Sequence, residues 1–504
     1  MPVQCLPVST TSARPPVAVR PGAVVTVLAV AGITAALMQT LVVPLIQDLP
    51  RLLDTTRSNA SWVITATLLT SAVATPISGR LGDMFGKRRI MLICAGSLIV
   101  GSIVGALATT VLPMIIGRGL QGIGMGMIPL GISAMRDLIP AERLGGAIAL
   151  MSASMGVGGA LGLPLAAAVA ENANWRALFW GAAALAVLVA VLIFAFIPAT
   201  PVTGSGGFDA VGAVGLGVGL VSLLLGVSKG ADWGWSSATT LGLLIGAVVV
   251  LVAWGWWELR SEAPLVDLRV TARPVVLLTN LASLVIGFAM YAQSLIIPQL
   301  LQLPAETGYG LGQSMIAMGL WMMPGGFVMM AMSPVGARIS HARGPKITLA
   351  LGGFVVAVGY VCATLLMSST WGLLVAVCIC SMGVGFAYGA MPALIMGSVP
   401  LSVTASANSV NTLMRALGTS FAAAVIGLVL AQMTTDFGGF AVPSKAGFQT
   451  GLLLGGGLAL LASVIALCIP QRASLEAEDH IEHPEHAEGA QAAPGAEAAP
   501  TAVR

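Results

Sequence analysis

Long apolar runs, each about the length of a membrane crossing, alternate with short polar segments along nearly the whole chain. About 20 consecutive apolar residues are needed to span a bilayer as a helix. Windows of that length place spans at 22–46, 60–79, 90–110, 112–134, 146–169 and 177–198. Two more follow at 210–228 and 238–257, and a last six at 275–299, 313–334, 347–367, 371–395, 405–431 and 447–469. The pattern predicts an all-α integral membrane protein with fourteen transmembrane helices. An even number of crossings puts both tails on one side. The first run, Gly22 to Ile46, is too long for a signal-peptide core and is expected to stay as an uncleaved span.

The polar segments orient the chain. Sixteen of the twenty-three Lys and Arg residues lie on the side holding both tails, five lie opposite, and Arg118 and Arg415 fall inside spans. Basic residues are retained on the cytoplasmic side, so both termini are expected in the cytoplasm. The segment Gly79-Arg80-Leu81-Gly82-Asp83-Met84-Phe85-Gly86-Lys87-Arg88-Arg89 is a tight basic turn on that side, between the second and third spans.

Composition then excludes whole classes. Only 9% of residues are charged and 57% are hydrophobic, whereas soluble domains carry about 25% charge. Mean hydropathy is +0.94. A net charge of +3, with no basic run longer than Lys87-Arg88-Arg89, leaves no basis for nucleic-acid binding. Five cysteines (Cys94, Cys362, Cys378, Cys380 and Cys468) fall in apolar runs and Cys5 in the tail, with no metal or disulfide spacing. No Ser/His/Asp, metal or phosphate-loop constellation lies within the spans, so neither an enzyme nor a cofactor is expected.

A faint internal repeat organises the spans. Ala337 through Gly344 aligns with Gly79 through Gly86, matching Arg338 to Arg80 and Gly344 to Gly86. Both segments follow the second span of a six-span set once spans seven and eight are treated as inserted. The expected division is a tail at 1–21, a six-helix bundle at 22–198, two additional helices with their loops at 199–274, a second six-helix bundle at 275–469, and a solvated tail at 470–504. His480, His483 and His486 have helical spacing in that tail, whose composition favours disorder over a metal site.

Several motifs carry possible mechanism. In the 79–89 turn, Gly79, Gly82 and Gly86 allow close approach and positive φ where two helices reverse. Asp83 beside Lys87, Arg88 and Arg89 is expected to exchange ion-pair partners between two states; a plain positive-inside anchor is the alternative. Arg118 in span four, followed by Gln121, puts a guanidinium into apolar sequence, which costs ~2.5–3.5 kcal/mol or more at the bilayer centre. It either faces a wet cavity or reaches for the outer interface. Gly156, Gly159, Gly162 and Pro164 give span five close packing and a capacity to bend. Asn408, Asn411 and Arg415 share one face of span thirteen, as a cavity wall or an interhelical lock. Met315, Met318, Met322 and Met329 recur along span ten near Trp321, as ordinary packing or as a flexible apolar ligand surface. Gln39, Trp62, Asn280, Tyr291, Gln293, Trp321, Met322, Asn411 and Arg415 are the candidate lining of a substrate cavity.

Together these residues resemble the fourteen-span drug:proton antiporter branch of the major facilitator superfamily. The resemblance rests on Trp62 with Thr65, the 79–89 turn, Arg118-x-x-Gln121-Gly122-x-Gly124 and the Gly156–Pro164 segment. Trp175-Arg176, Phe208-Asp209-x-x-Gly212 and Pro298-Gln299-x-Leu301-Gln302 also match. It implies two six-helix bundles that alternate access and proton-driven export of amphipathic compounds. It makes Arg118 part of proton coupling and the span-five glycines part of an antiporter hinge. Two positions depart: Met38 stands where the family commonly has an Asp, and Leu163 separates Gly162 from Pro164.

None of the twenty Asp and Glu residues falls near mid-span. Coupling is therefore expected to use acids at the mouths (Asp48, Glu306, Asp209 or Glu258), a water bound at Arg118, or not to occur. A cavity without carboxylates disfavours strongly cationic cargo, leaving neutral, zwitterionic or anionic amphiphiles, with Arg118 or Arg415 open to an anion. The expected partners are a small-molecule substrate, protons and the lipid bilayer, in a bacterial plasma membrane. A lipid translocator on the same scaffold and a non-transporting membrane receptor stay open as alternatives. No feature specifies an oligomeric state.

Overall fold

The computed structural model describes residues 21–470, apart from 43, 44, 46, 47, 173, 200, 201, 203–206 and 439. The tails, with Cys5 and the three spaced histidines, lie outside the described residues. Among the described residues, fourteen helices are long and apolar enough to cross a membrane: Pro21–Thr40, Asn59–Phe85, Lys87–Leu107, Val111–Leu138, Ala141–Ala166, Arg176–Phe196, Ala210–Gly230, Ala238–Glu258, Pro274–Gln302, Met315–Arg343, Pro345–Leu365, Thr370–Ser398, Leu401–Gln432 and Lys445–Leu467. They are numbered here as spans one to fourteen. The end of the bundle carrying the Gly86 turn is called the basic face.

The polar turns prove shorter than the hydropathy edges suggest, because helices continue past the apolar runs. Span two runs to Phe85 and span three begins at Lys87, so the turn is Gly86 alone, at φ 89°. Gly344 repeats this between spans ten and eleven at φ 86°. A side chain is strained at such angles, and glycine is not. Gly79 and Gly82 are therefore not turn residues but helical contact points. A Cβ at Gly79 would lie 2.8 Å from the Ala405 carbonyl oxygen of span thirteen.

Apolar side chains form two large clusters, one drawn mainly from spans one to six and the other mainly from spans nine to fourteen. A third joins span seven to spans two and thirteen through Leu69, Ala72, Leu216, Leu220, Val410 and Leu413. The two inserted helices thus lie over one seam between the bundles, with span eight outermost. The extended contacts across the seam pair span two with thirteen, five with ten, five with twelve, and the inner half of four with thirteen; spans one and nine are not among them.

Two local departures from straight helix matter. Span four is broken by a 3₁₀ turn at Gly124–Gly126, which separates an outer half carrying Arg118 from an inner half carrying Arg136 and Asp137. Between spans thirteen and fourteen, Thr434–Phe437 and Phe440–Pro443 form an antiparallel hairpin with Thr434 opposite Pro443. This small strand pair is the one departure, among the described residues, from an all-helical chain.

Candidate functional site

The seam is tied at the basic face by polar groups from both bundles. Helix Thr404–Gln432 begins without a capping side chain of its own. Its first N–H groups have no intrahelical acceptor. Asp83 supplies one from the other bundle: Oδ1 accepts from the Ala405 N–H at 3.2 Å and Oδ2 from the Ser406 N–H at 2.9 Å. Asp83 is fully buried there. A carboxylate at a helix N-terminus gains from both the hydrogen bonds and the helix dipole, together about 1–2 kcal/mol. Arg136 adds a second tie, donating to Thr404 Oγ1 at 2.6 Å and to the Val399 carbonyl at 3.2 Å. Asn408 Nδ2 donates to Ser133 Oγ at 3.3 Å.

The cations of the turn are placed differently from the expected partner exchange with Asp83. Lys87 Nζ is fully buried and pairs with Asp137 Oδ2 at 2.5 Å, joining the start of span three to the end of span four. Arg88 donates to the Phe194 carbonyl at 2.6 Å and lies over the Phe194 ring. Arg89 is exposed. Lys87 and Arg88 thus brace the first bundle internally, and the direct tie across the seam is made by Asp83. Asp137 and Arg136 were not singled out from sequence; an adjacent charge pair at the end of an apolar span was the available signal.

Arg118 does not reach for the interface. Its side chain is 1% exposed. Nη1 donates to the Met38 carbonyl at 2.7 Å and to Gln121 Oε1 at 2.6 Å, while Nε donates to the Val63 carbonyl at 3.3 Å. Gln121 Nε2 in turn donates to Ser102 Oγ at 2.8 Å. Glycines make this possible. A Cβ at Gly117 would lie 2.7 Å from the Gly101 carbonyl, and one at Gly122 would lie 2.5 Å from that of Thr67. Arg118 and Gln121 are brought together as one node joining spans one, two, three and four.

The span-five small residues divide among three directions. Gly156 faces Met329 of span ten, and Pro164 lies against Gly319 of the same helix, where an added Cβ would come within 3.1 Å of the proline. Gly162 faces Thr40 and Leu37 of span one, whereas Gly159 has open space around it. Gly158, not singled out from sequence, is the tightest against backbone: a Cβ there would lie 2.4 Å from the Ile33 carbonyl oxygen.

The cavity candidates separate into a cluster and scattered residues. Asn411 Nδ2 donates to Asn280 Oδ1 at 3.0 Å and to Ser283 Oγ at 2.6 Å. One turn further along, Arg415 lies over the Tyr388 ring at 4.5 Å. Elsewhere Trp62 carries Lys229 over its ring at 5.3 Å, and Lys229 also pairs with Asp232. Trp321 donates to Gln313 and meets Trp371 edge-on at the end opposite the basic face. Met318 and Met329 are core residues, with Met315, Met322 and Tyr291 packed against the same cluster. Gln39 is exposed and Gln293 buried. Among the mouth acids, Asp48 is exposed and paired with Arg51, and Glu306 is exposed in a 3₁₀ turn. Asp209 accepts from Trp257 Nε1 and the Gly212 N–H, while Glu258 is buried at the basic-face end of span eight.

Comparison with known proteins completes the picture. The chain is 28% identical over 433 residues to an uncharacterized MFS-type transporter of Mycobacterium tuberculosis (strain ATCC 25618 / H37Rv), covering 85% of this chain and 62% of that protein. The chain thus spans about three fifths of that relative's length. It is 27% identical over 343 residues to lincomycin resistance protein LmrB of Listeria monocytogenes, covering 68% of this chain and 71% of that one. With the multidrug transporter protein MdtP of Bacillus subtilis it shares 26% identity, covering 74% and 69% of the two chains. Among solved structures, the human organic anion transporter MFSD10 (TETRAN) superposes with TM-score 0.64 at 17% identity, covering 90% of this chain and all of that one. The proton:xylose symporter XylE gives the same TM-score at 14% identity, covering 89% and 96%. These two likenesses establish the fold. The profile of the Major Facilitator Superfamily matches residues 28–423, which take in the Asp83 tie, the Arg118 node and the Asn280–Arg415 cluster, and the chain accordingly belongs to that family of membrane transporters, not to any class of enzyme.

Proposed function

We propose that this protein is a proton-motive-force-driven exporter of hydrophobic and amphipathic small molecules, of the fourteen-span drug:proton antiporter branch. It sits in a bacterial plasma membrane with both tails cytoplasmic. The basic face is then the cytoplasmic face, in keeping with the charge bias. The carrying observation is the Asp83 cap on span thirteen, a buried contact between the two bundles that opening of the cytoplasmic side would break. Releasing it exposes the two N–H groups and the carboxylate to water, so both states satisfy their polar groups. The twin bundles at 22–198 and 275–469 would rock about this seam, with 199–274 as an inserted pair. Gly79, Asp83 and Gly86 form the gate, Lys87, Arg88 and Arg89 brace it, and Gly156, Gly159, Gly162 and Pro164 line the hinge side.

Arg118 and Gln121 are assigned to coupling, with Asp48 and Glu306 as acids at the outer mouth. The names of the lincomycin resistance and multidrug relatives support the export reading. The test is efflux of a lipophilic dye from cells expressing the full chain. Collapse of ΔpH by an ionophore should stop it, and unchanged efflux would refute proton coupling.

A second reading, lipid translocation, draws on an apolar groove of about 580 Å³ between spans two and seven, lined by Val73, Ile77, Ala213, Gly217 and Val221. Vesicles containing the protein and a labelled phospholipid separate the two readings.

A further inference from the structure

Arg415 stands eleven residues past the start of helix Thr404–Gln432. At 1.5 Å per residue that is about 16 Å from the basic-face end, close to the midplane of a hydrocarbon core about 30 Å thick. A cation at that depth is costly unless it is paired or faces a polar chamber. The ion pairs among the described residues are Arg51–Asp48, Lys87–Asp137 and Lys229–Asp232, and none involves Arg415. Its contact is the Tyr388 ring, and 7% of its surface stays accessible. The other intramembrane arginine differs, since three acceptors occupy Arg118.

The surroundings of Arg415 are rich in donors. Asn411 Nδ2 is spent on Asn280 Oδ1 and Ser283 Oγ. That leaves Asn280 Nδ2, on a side chain 2% exposed, buried with no hydrogen-bond partner. A buried orphan donor is costly, and an intramembrane guanidinium without a carboxylate adds to that cost. Both costs fall if an acceptor anion arrives. Thr404, Asn408, Asn411 and Arg415 follow one stripe of span thirteen. Its lower part is sealed against the first bundle by Arg136 and Ser133. Arg415 lies about two turns further along the same helix.

We propose that Arg415, with the Tyr388 ring as a wall and the Asn280 amide linked through Asn411 one turn below, binds the monoanionic headgroup of an amphiphilic cargo, a carboxylate or phosphate on an aliphatic body. The proposal rests on the export reading for its cargo but not for its chemistry. Charge-assisted hydrogen bonds from the guanidinium supply orientation.

The test is equilibrium binding to the purified full chain in phosphatidylcholine nanodiscs, using radiolabelled dodecanoate and dodecan-1-ol, with counts in empty nanodiscs subtracted. Wild type should prefer dodecanoate by about tenfold or more, and Arg415→Gln should shrink the preference to within about twofold. Arg415→Lys should keep part of it. Equal binding of acid and alcohol by wild type, or full dodecanoate preference in Arg415→Gln, overturns the proposal. If Arg415→Gln does not purify as a monodisperse protein, Asn280→Asp serves instead. Its added carboxylate should abolish the preference, and an unchanged preference overturns the proposal equally. Phosphatidylglycerol added to the nanodiscs distinguishes the sources: competition with dodecanoate marks a lipid headgroup as cargo, and no competition marks a free organic acid. Failure of ionophore-sensitive efflux would leave this binding result standing, so the two readings fail separately.

Discussion

The Arg118 guanidinium donates to the backbone carbonyl of Met38 at 2.7 Å, at the place in span one where an acid is common in the family this chain resembles. The charge is therefore held by a carbonyl, not a carboxylate. With Val63 and Gln121 completing the set, the guanidinium is satisfied without a counter-ion.

Removing the guanidinium should abolish the driven step while leaving the bundle assembled. Arg118→Ala removes the donor held by Gln121 Oε1 and the Met38 carbonyl, which costs roughly 1–3 kcal/mol. We expect insertion at near-normal levels, a lower melting temperature in detergent, and loss of ionophore-sensitive efflux. Normal efflux in this variant would reduce Arg118 to a packing element.

Asp83→Asn keeps the shape of the cap but removes its charge. The amide oxygen accepts only one of the two N–H groups, and a loss of about 1 kcal/mol shifts the closed-to-open ratio roughly fivefold. Thiol labelling of Ser409→Cys, which is buried in the closed seam, should quicken by that factor in the Asp83→Asn background. Transport should fall because the cytoplasmic side no longer closes fully. Unchanged labelling and transport would remove the gate assignment.

Two neighbouring glycines should answer oppositely to one methyl group. A Cβ at Gly158 meets the Ile33 carbonyl at 2.4 Å, whereas Gly159 has open space. Gly158→Ala is expected to separate spans one and five and cost about 1–3 kcal/mol. Gly159→Ala should be neutral or gain a few tenths to about 1 kcal/mol through helix propensity. Melting temperatures of the two purified variants check this directly.

The two reversals at Gly86 and Gly344 should be interchangeable in their sensitivity. Both hold φ near 90°, so alanine at either is strained by about 1–2 kcal/mol. Gly96 lies in helix with nothing within 4 Å, so alanine there is the control. Lower expression of Gly86→Ala and Gly344→Ala than of Gly96→Ala would match. Equal expression would argue that the turns relax.

Much of this architecture was legible without coordinates because the bilayer is a severe solvent. A backbone crossing it must satisfy its own hydrogen bonds, so length and hydropathy alone yield fourteen helices. The Gly86 and Gly344 reversals were visible as a repeat for the same reason. What the chain determined by itself was therefore the crossings, their probable handling of charge by face, and the short list of polar residues inside apolar runs. What only the tertiary structure decided was pairing. That Asp83 caps span thirteen and Lys87 goes to Asp137, that Arg118 finds three acceptors on spans one, two and four, and that Asn280 bonds Asn411 while its amide stays an orphan all depend on which helices lie together, with partners up to several hundred positions apart. Hydropathy says how deep a side chain sits. It carries no information on which helix lies across from it, because lipid and apolar protein surface look alike to a greasy residue.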